Sequence, residues 1–164
     1  MGQATIKGMA FNRSTSNSRS NVVRGVVGID FATPVLIEDC TFTGFDQAIV
    51  AKKLVGHITI RRVSFAHNVA PALAHGGAVT VDSCNNLDII SCTFTHNKAE
   101  LGGAIAVEST SFPASITVSN INTVGNSATN GGAIYVGKMS YMDMADCSMF
   151  RDSATEGGAM VALT

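Results

Sequence analysis

The stretch "CTFTHNKAELGGAIAV" (92–107) alternates apolar and polar positions, passes a polar corner, reaches a double glycine and alternates again. A period of two, bounded by Gly and Asn, predicts short strands joined by turns. The pattern recurs. "VSFAHNVAPALAHGGAVTV" (63–81) carries it with three extra residues between Asn68 and Gly76. "INTVGNSATNGGAIYV" (121–136) puts Thr123 in the phenylalanine slot, and "CSMFRDSATEGGAMVA" (147–162) has Met149 and Asp152. "CTFTGFDQAIV" (40–50) lacks the double glycine, and "IKGMAFN" (6–12) matches only the first half. Phe11, Phe42, Phe65, Phe94, Thr123 and Met149 therefore align, at steps of 31, 23, 29, 29 and 26 residues (42−11, 65−42, 94−65, 123−94, 149−123). A period between about 20 and 50 residues marks a solenoid or an array.

Each copy predicts three short strands, at 58–60, 63–65 and 78–81 in the clearest one. No window carries a helical stripe. Glycines and Asn or Asp residues fall at the corners, where a positive φ is needed. Strands stacking coil on coil, about 4.8 Å apart, place equivalent side chains in columns. One column runs Ile6, Ile37, Ile60, Ile89, Val118, Met144. A second runs Met9, Cys40, Val63, Cys92, Ile121, Cys147, and a third Val79, Ile105, Ile134, Met160. All are apolar, as an interior requires. A fourth, Asn68, Asn97, Asn126, Asp152, is polar and predicts side chains bonded to each other and to turn backbone. The fold class is all-β: a right-handed, single-stranded parallel β-helix of about five to six coils, of pectate-lyase-like architecture, forming one domain over 1–164. The Ser-rich run "NRSTSNSRSN" (12–21) reads as a loop leaving the first coil.

Composition narrows the function. A net charge of -1 gives no footprint for nucleic acid. No apolar run has the length of a membrane helix. The start, "MGQATIKGMAFNRSTSNSRS", carries no signal-peptide core, and the final "GGAMVALT" stops inside a strand. Uncapped solenoid ends expose strand edges. The expectation is therefore a piece of a longer repeat protein, its ends covered by neighbouring coils, or end-to-end self-association.

Two phrases dominate the repeat: F-x-x-N, as "FAHN" (65–68) and "FTHN" (94–97), and G-G-A-[ILVM] in four copies. They comprise Phe65, Asn68, Gly76, Gly77, Phe94, Asn97, Gly102, Gly103, Asn126, Gly131, Gly132, Asp152, Gly157 and Gly158. This pairing resembles the repeat of the chlamydial polymorphic outer-membrane proteins, over roughly residues 35–164. The resemblance implies a secreted passenger β-helix, extracellular or on the outer-membrane surface, acting in adhesion with a host-cell or cell-surface protein or glycan as partner.

The residues themselves assign no catalytic group, cofactor or metal. Polysaccharide-cleaving β-helices need carboxylates and a base on one outer strand face. The face after the double glycine reads Ala78, Ala104, Ala133, Ala159, then Thr80, Ala106, Tyr135, Val161. The reading is a non-enzymatic surface module, with Ala104, Ala106, Ala133, Tyr135, Ala159 and Val161 as a contact strip. The alternatives are a carbohydrate-binding or degenerate lyase-like β-helix and an intracellular scaffold. Glu38-Asp39 and Arg61-Arg62 should stack as a surface ion-pair ladder. His67 and His96 should stack as a surface pair. Cys40, Cys92 and Cys147 sit two coils apart, too far for a disulfide, and are expected as buried thiols. Cys84, in a turn, is a candidate for a cross-link to another chain.

Overall fold

The computed structural model describes residues 3–12, 27–29, 34–52, 56–82, 84–108, 114–137 and 140–163. The Ser-rich run lies outside them from residue 13 onward.

Three parallel stacks of six strands wind around one interior. The first holds Ala4–Lys7, Val35–Glu38, His57–Arg61, Asn86–Ile90, Ala114–Ser119 and Ser140–Ala145. The second holds Ala10–Asn12, Thr41–Thr43, Ser64–Ala66, Thr93–Thr95, Asn122–Val124 and Ser148–Phe150. The third holds Val27–Ile29, Ile49–Lys52, Val79–Asp82, Ile105–Glu108, Ile134–Val136 and Met160–Ala162. A short fourth ladder pairs Ser127–Asn130 with Ser153–Glu156. No helix forms among the described residues. The predicted columns are the observed register: Ile6–Ile37–Ile60–Ile89–Val118–Met144 pair in sequence. So do Phe11–Phe42–Phe65–Phe94–Thr123–Met149.

Six strands per stack reach the upper end of the expected coil count, but only four turns are fully cored. From the second coil to the fifth, the inward Ile, Val, Leu and Phe side chains are buried. In the first coil Ile6 and Phe11 are only partly covered, and Met9, expected inside, is 49% exposed. In the sixth coil Met142, Met144, Cys147, Met149 and Met160 are only partly covered. Each coil shields its neighbours, so an end coil keeps one open side. Phenylalanine rings follow the coil rise, with centroids 4.8, 5.3 and 4.9 Å apart from Phe11 through Phe42 and Phe65 to Phe94, all near-parallel.

The corners explain how so short a chain turns three times per coil. One left-handed residue separates the first stack from the second: Gly8, Asp39, Arg62, Ser91, Asn120, Asp146. Another follows the second stack: Gly44, His67, His96, Gly125, Arg151. Glycine and Asn or Asp were expected at these places, yet Arg, Ser and His occupy several. A non-glycine residue there costs about 1–2 kcal/mol. It is held by intercoil backbone bonds such as Asp39 N–H to Arg61 O (3.2 Å) and His67 N–H to Thr95 O (3.0 Å). The double glycine is less forgiving. At Gly102 (φ 58°) a Cβ would run into the carbonyl oxygen of Ile105, and at Gly103 into the carbonyl of Gly132 and the backbone of Ser127.

Candidate functional site

The polar column is the most ordered part of the corners. The Asn97 Oδ1 accepts from the Asn68 N–H (3.0 Å) and Nδ2 (2.9 Å), while its own Nδ2 donates to Phe65 O (3.2 Å) and Asn126 Oδ1 (3.0 Å). Asn68, Asn97 and Asn126 are fully buried. In the sixth coil Asp152 takes the place of Asn and cannot donate. Its Oδ1 accepts from Asn126 N–H and Nδ2, both 2.8 Å, and its Oδ2 from the hydroxyl of Thr123 (2.5 Å). Two of the three eroded positions of the phrase are thus in contact: Thr123 replaces Phe and supplies a donor to Asp152. These residues build the solenoid and do not face a ligand.

Half of the expected contact strip is not a surface. Ala104, Ala106 and Ala133 are completely buried, and Tyr135, Ala159 and Val161 are half-buried. The chain between the polar corner and the double glycine folds back over this face. It is pinned coil to coil by bridges from Val69 through Lys98 to Ser127 and from His75 through Leu101 to Asn130. A Cβ at Gly76 would meet the Thr80 hydroxyl, and one at Gly157 the Val161 side chain. Small residues stand there because backbone crosses above them.

One place departs from this pattern. The three extra residues between Asn68 and Gly76 form a ridge at Pro71–Ala74, closed by an Ala74 N–H to Pro71 O bond (3.0 Å). At its tip Leu73, in left-handed conformation, is 80% exposed. On one side lies a hollow of about 420 Å³ lined by Asp46, Gln47, His75, Thr80, Asp82 and Glu108 among others. On the other side a smaller one, about 330 Å³, includes Lys98, Glu100 and Thr129. The larger hollow brings together groups that sequence reading kept apart. Asp82 and Glu108 are register partners at the ends of adjacent strands, two residues beyond Thr80 and Ala106 of the alanine-rich face. His75 approaches Glu108 through Nδ1. Gln47 Nε2 donates to His75 O (2.6 Å) and to Thr80 Oγ1 (2.8 Å), and the Thr80 hydroxyl also bonds to His75 O. Tyr135 is next to this edge. Burial first, and then the charge of Glu108, raise its phenol above the ordinary value, so it stays a donor. The sequence signal for this site was available: the insertion between Asn68 and Gly76, and acidic residues closing two consecutive strands.

The remaining clusters stack as expected, but Glu38 of the expected surface ladder is buried and Cys147, expected buried, is only partly so. Glu38 is nearly enclosed by Lys7 (3.5 Å), Arg61 (3.0 Å) and Arg62, and Arg62 also holds Asp39 at 2.7 Å. The hydrogen bond from Arg61 leads in holding the Glu38 carboxyl below its usual range, against the opposing effect of burial. Arg62 does the same for Asp39. His67 and His96 stack with centroids 5.3 Å apart. Parallel rings aim their lone pairs the same way, which suits packing better than chelation. All four cysteines are free thiols. Cys84 is buried, and burial pushes its thiol up to about 11, so it is protonated at neutral pH and shielded from the cross-link once open to it.

Parallel coils, inward apolar columns and stacked corner amides describe a solenoid wound in one direction. Residues 3–121 match the model of the family described as right handed beta helix region. The chain belongs to this family. The match fixes the hand of this β-helix and covers its first four coils and the interior of the fifth's first stack. No curated protein and no solved structure matches the chain.

Proposed function

We propose that this β-helix is a non-enzymatic module of an extracellular or cell-surface protein, structural or adhesive, that makes its contacts through the ridge at Pro71–Ala74. The observation that carries this reading is the contrast between the repeat and the insertion between Asn68 and Gly76. Tyr141, Phe150 and Val69 are also exposed, while many other described side chains serve stacking, ion pairing or corner closure. The ridge serves none of these, and raises Leu73 into solvent. The resemblance of the F-x-x-N and G-G-A phrases to the chlamydial surface repeat points the same way. Leu73→Asp is expected to abolish adherence of the purified chain to target cells, leave the far-UV spectrum unchanged and affect no glycan binding. Adherence that survives Leu73→Asp ends this reading.

A second reading rests on the larger hollow. Carboxylates beside an oriented imidazole and a hydroxyl are hydrogen-bonding groups for a sugar. A glycan array separates the two. Binding that Asp82→Asn together with Glu108→Gln weakens by tenfold or more favours the carbohydrate-binding alternative. Turnover of a polysaccharide, lost in His75→Ala, would overturn the non-enzymatic assignment itself.

A further inference from the structure

Among the described residues, the ridge at Pro71–Ala74 is tied to the neighbouring coil at its two feet. Ala70 N–H donates to Lys98 O (2.8 Å), and Ala74 O accepts from Glu100 N–H (3.1 Å). Between these anchors the only backbone bond among the described residues is the ridge's own, from Ala74 N–H to Pro71 O. Leu73 stands exposed at the tip with a φ of 64°, a region that disfavours a bulky side chain. Tyr141 and Phe150 are exposed too, but they lie in Ser140–Ala145 and Ser148–Phe150, strands held in parallel ladders. An endoprotease takes its substrate as an extended segment. A laddered strand must first be unpaired to reach it, while a loop tip need only be straightened. We propose that the Leu73–Ala74 bond is a processing site for an endoprotease that accepts a large apolar side chain, and that the nicked chain stays one folded solenoid.

The rest of the fold fits such a cut. Hydrolysis adds one water across one amide: the C–N bond breaks, Leu73 keeps the new carboxylate and Ala74 the new ammonium. The pieces on either side then face each other across a complete coil interface. His57–Arg61 pairs with Asn86–Ile90, Ser64–Ala66 with Thr93–Thr95, and Ile49–Lys52 with Val79–Asp82. Phe65 lies on Phe94 with centroids 4.9 Å apart, and the Asn68 amide bonds to that of Asn97. In a solenoid each repeat is stabilised by its interface with its nearest neighbours, and this interface crosses the cut intact. The nick turns the ridge tip into two free ends and leaves the coils in register. This goes beyond the contact role proposed for the ridge: cleavage remodels that surface irreversibly without unfolding the module.

The test is brief digestion of the 164-residue chain with chymotrypsin, read by mass spectrometry. One product should end at Leu73 and another begin at Ala74. In native gel filtration the pieces should elute together at the position of the uncut chain, and strong denaturant should separate them. Leu73→Gly keeps the left-handed corner without steric cost and removes the apolar side chain. It should slow this cut by about tenfold or more, the scale on which a filled apolar pocket discriminates, at an unchanged far-UV spectrum. A chain whose Leu73–Ala74 bond survives, whether cut elsewhere or not, overturns the inference. So do pieces that elute apart, and a Leu73→Gly chain cut at this bond as fast as the unaltered one. Mass reads the nick itself, so this result stands apart from whether the ridge mediates adherence.

Discussion

The second to fifth coils and the sixth obey the same register with different chemistry. In the middle coils, rings stack, apolar columns are closed from both sides, and the Asn97 amide lies between two like amides. In the sixth, methionine replaces the branched residues, Asp replaces Asn, and the side chains are half-covered. Repetition lets a costly feature, such as a buried amide, be satisfied by a copy of itself. In the sixth coil the sequence changes to residues that tolerate an irregular neighbour.

The largest expected difference between the two regions is in the ring column. Phe65 is fully buried between Phe42 and Phe94, and Phe65→Ala should cost about 3–5 kcal/mol in a denaturant titration. Met149→Ala, at the same column position but half-covered, should cost about half as much or less. Equal losses would mean that the sixth coil is as well packed as the third.

The amide column gives the next effect. Asn97→Ala orphans the Asn68 N–H, while the Asn68 Nδ2 keeps its bond to Phe42 O, and should cost about 1–3 kcal/mol, the range for a buried group left unpaired. At the end of the column the rule is different. Thr123→Phe strips Asp152 of its second donor, and Asp152→Asn strips the Thr123 hydroxyl of its acceptor. Together they restore the Phe–Asn combination of the middle coils. A double-mutant cycle should give a coupling of about 1 kcal/mol favouring the matched pairs, within the range for touching residues. Additive effects would show that Thr123 and Asp152 are independent substitutions.

How much of this was legible beforehand follows the same division. The columns could be read because stacking forces equivalent residues into register, and one apolar position predicts the next. The burial of Ala104 and Ala106 could not, because alternation says which way a side chain points and not whether another segment crosses over it. The hollow at Asp46, His75, Asp82 and Glu108 was missed for a related reason. Its members come from three coils and from strand ends, so no single face of the pattern contains them. Arg62 and His67 at left-handed corners escaped too, since intercoil bonds overrode local preference.

The smallest effect is at the junction of the first and second coils. Glu38 and Asp39 carry lowered pKa values in the folded chain because Arg61 and Arg62, respectively, hydrogen-bond to their charged forms. The folded state then binds protons less readily than the unfolded chain. This contribution is complete above the ordinary carboxylate pKa of about 4 and is lost as pH falls through the lowered values. Glu38→Gln should flatten the acid side of a plot of melting temperature against pH, with little change at neutral pH beyond a constant offset. An unchanged acid slope would remove the ladder from the account.

The central claim is that the stability of this chain resides in the four cored turns. Hydrogen exchange followed strand by strand in dilute solution tests it most directly. The account predicts strong, uniform protection for Val35–Glu38, His57–Arg61 and Asn86–Ile90, with Ala4–Lys7 and Ser148–Phe150 exchanging far sooner. Equal protection from the first coil to the sixth would contradict it.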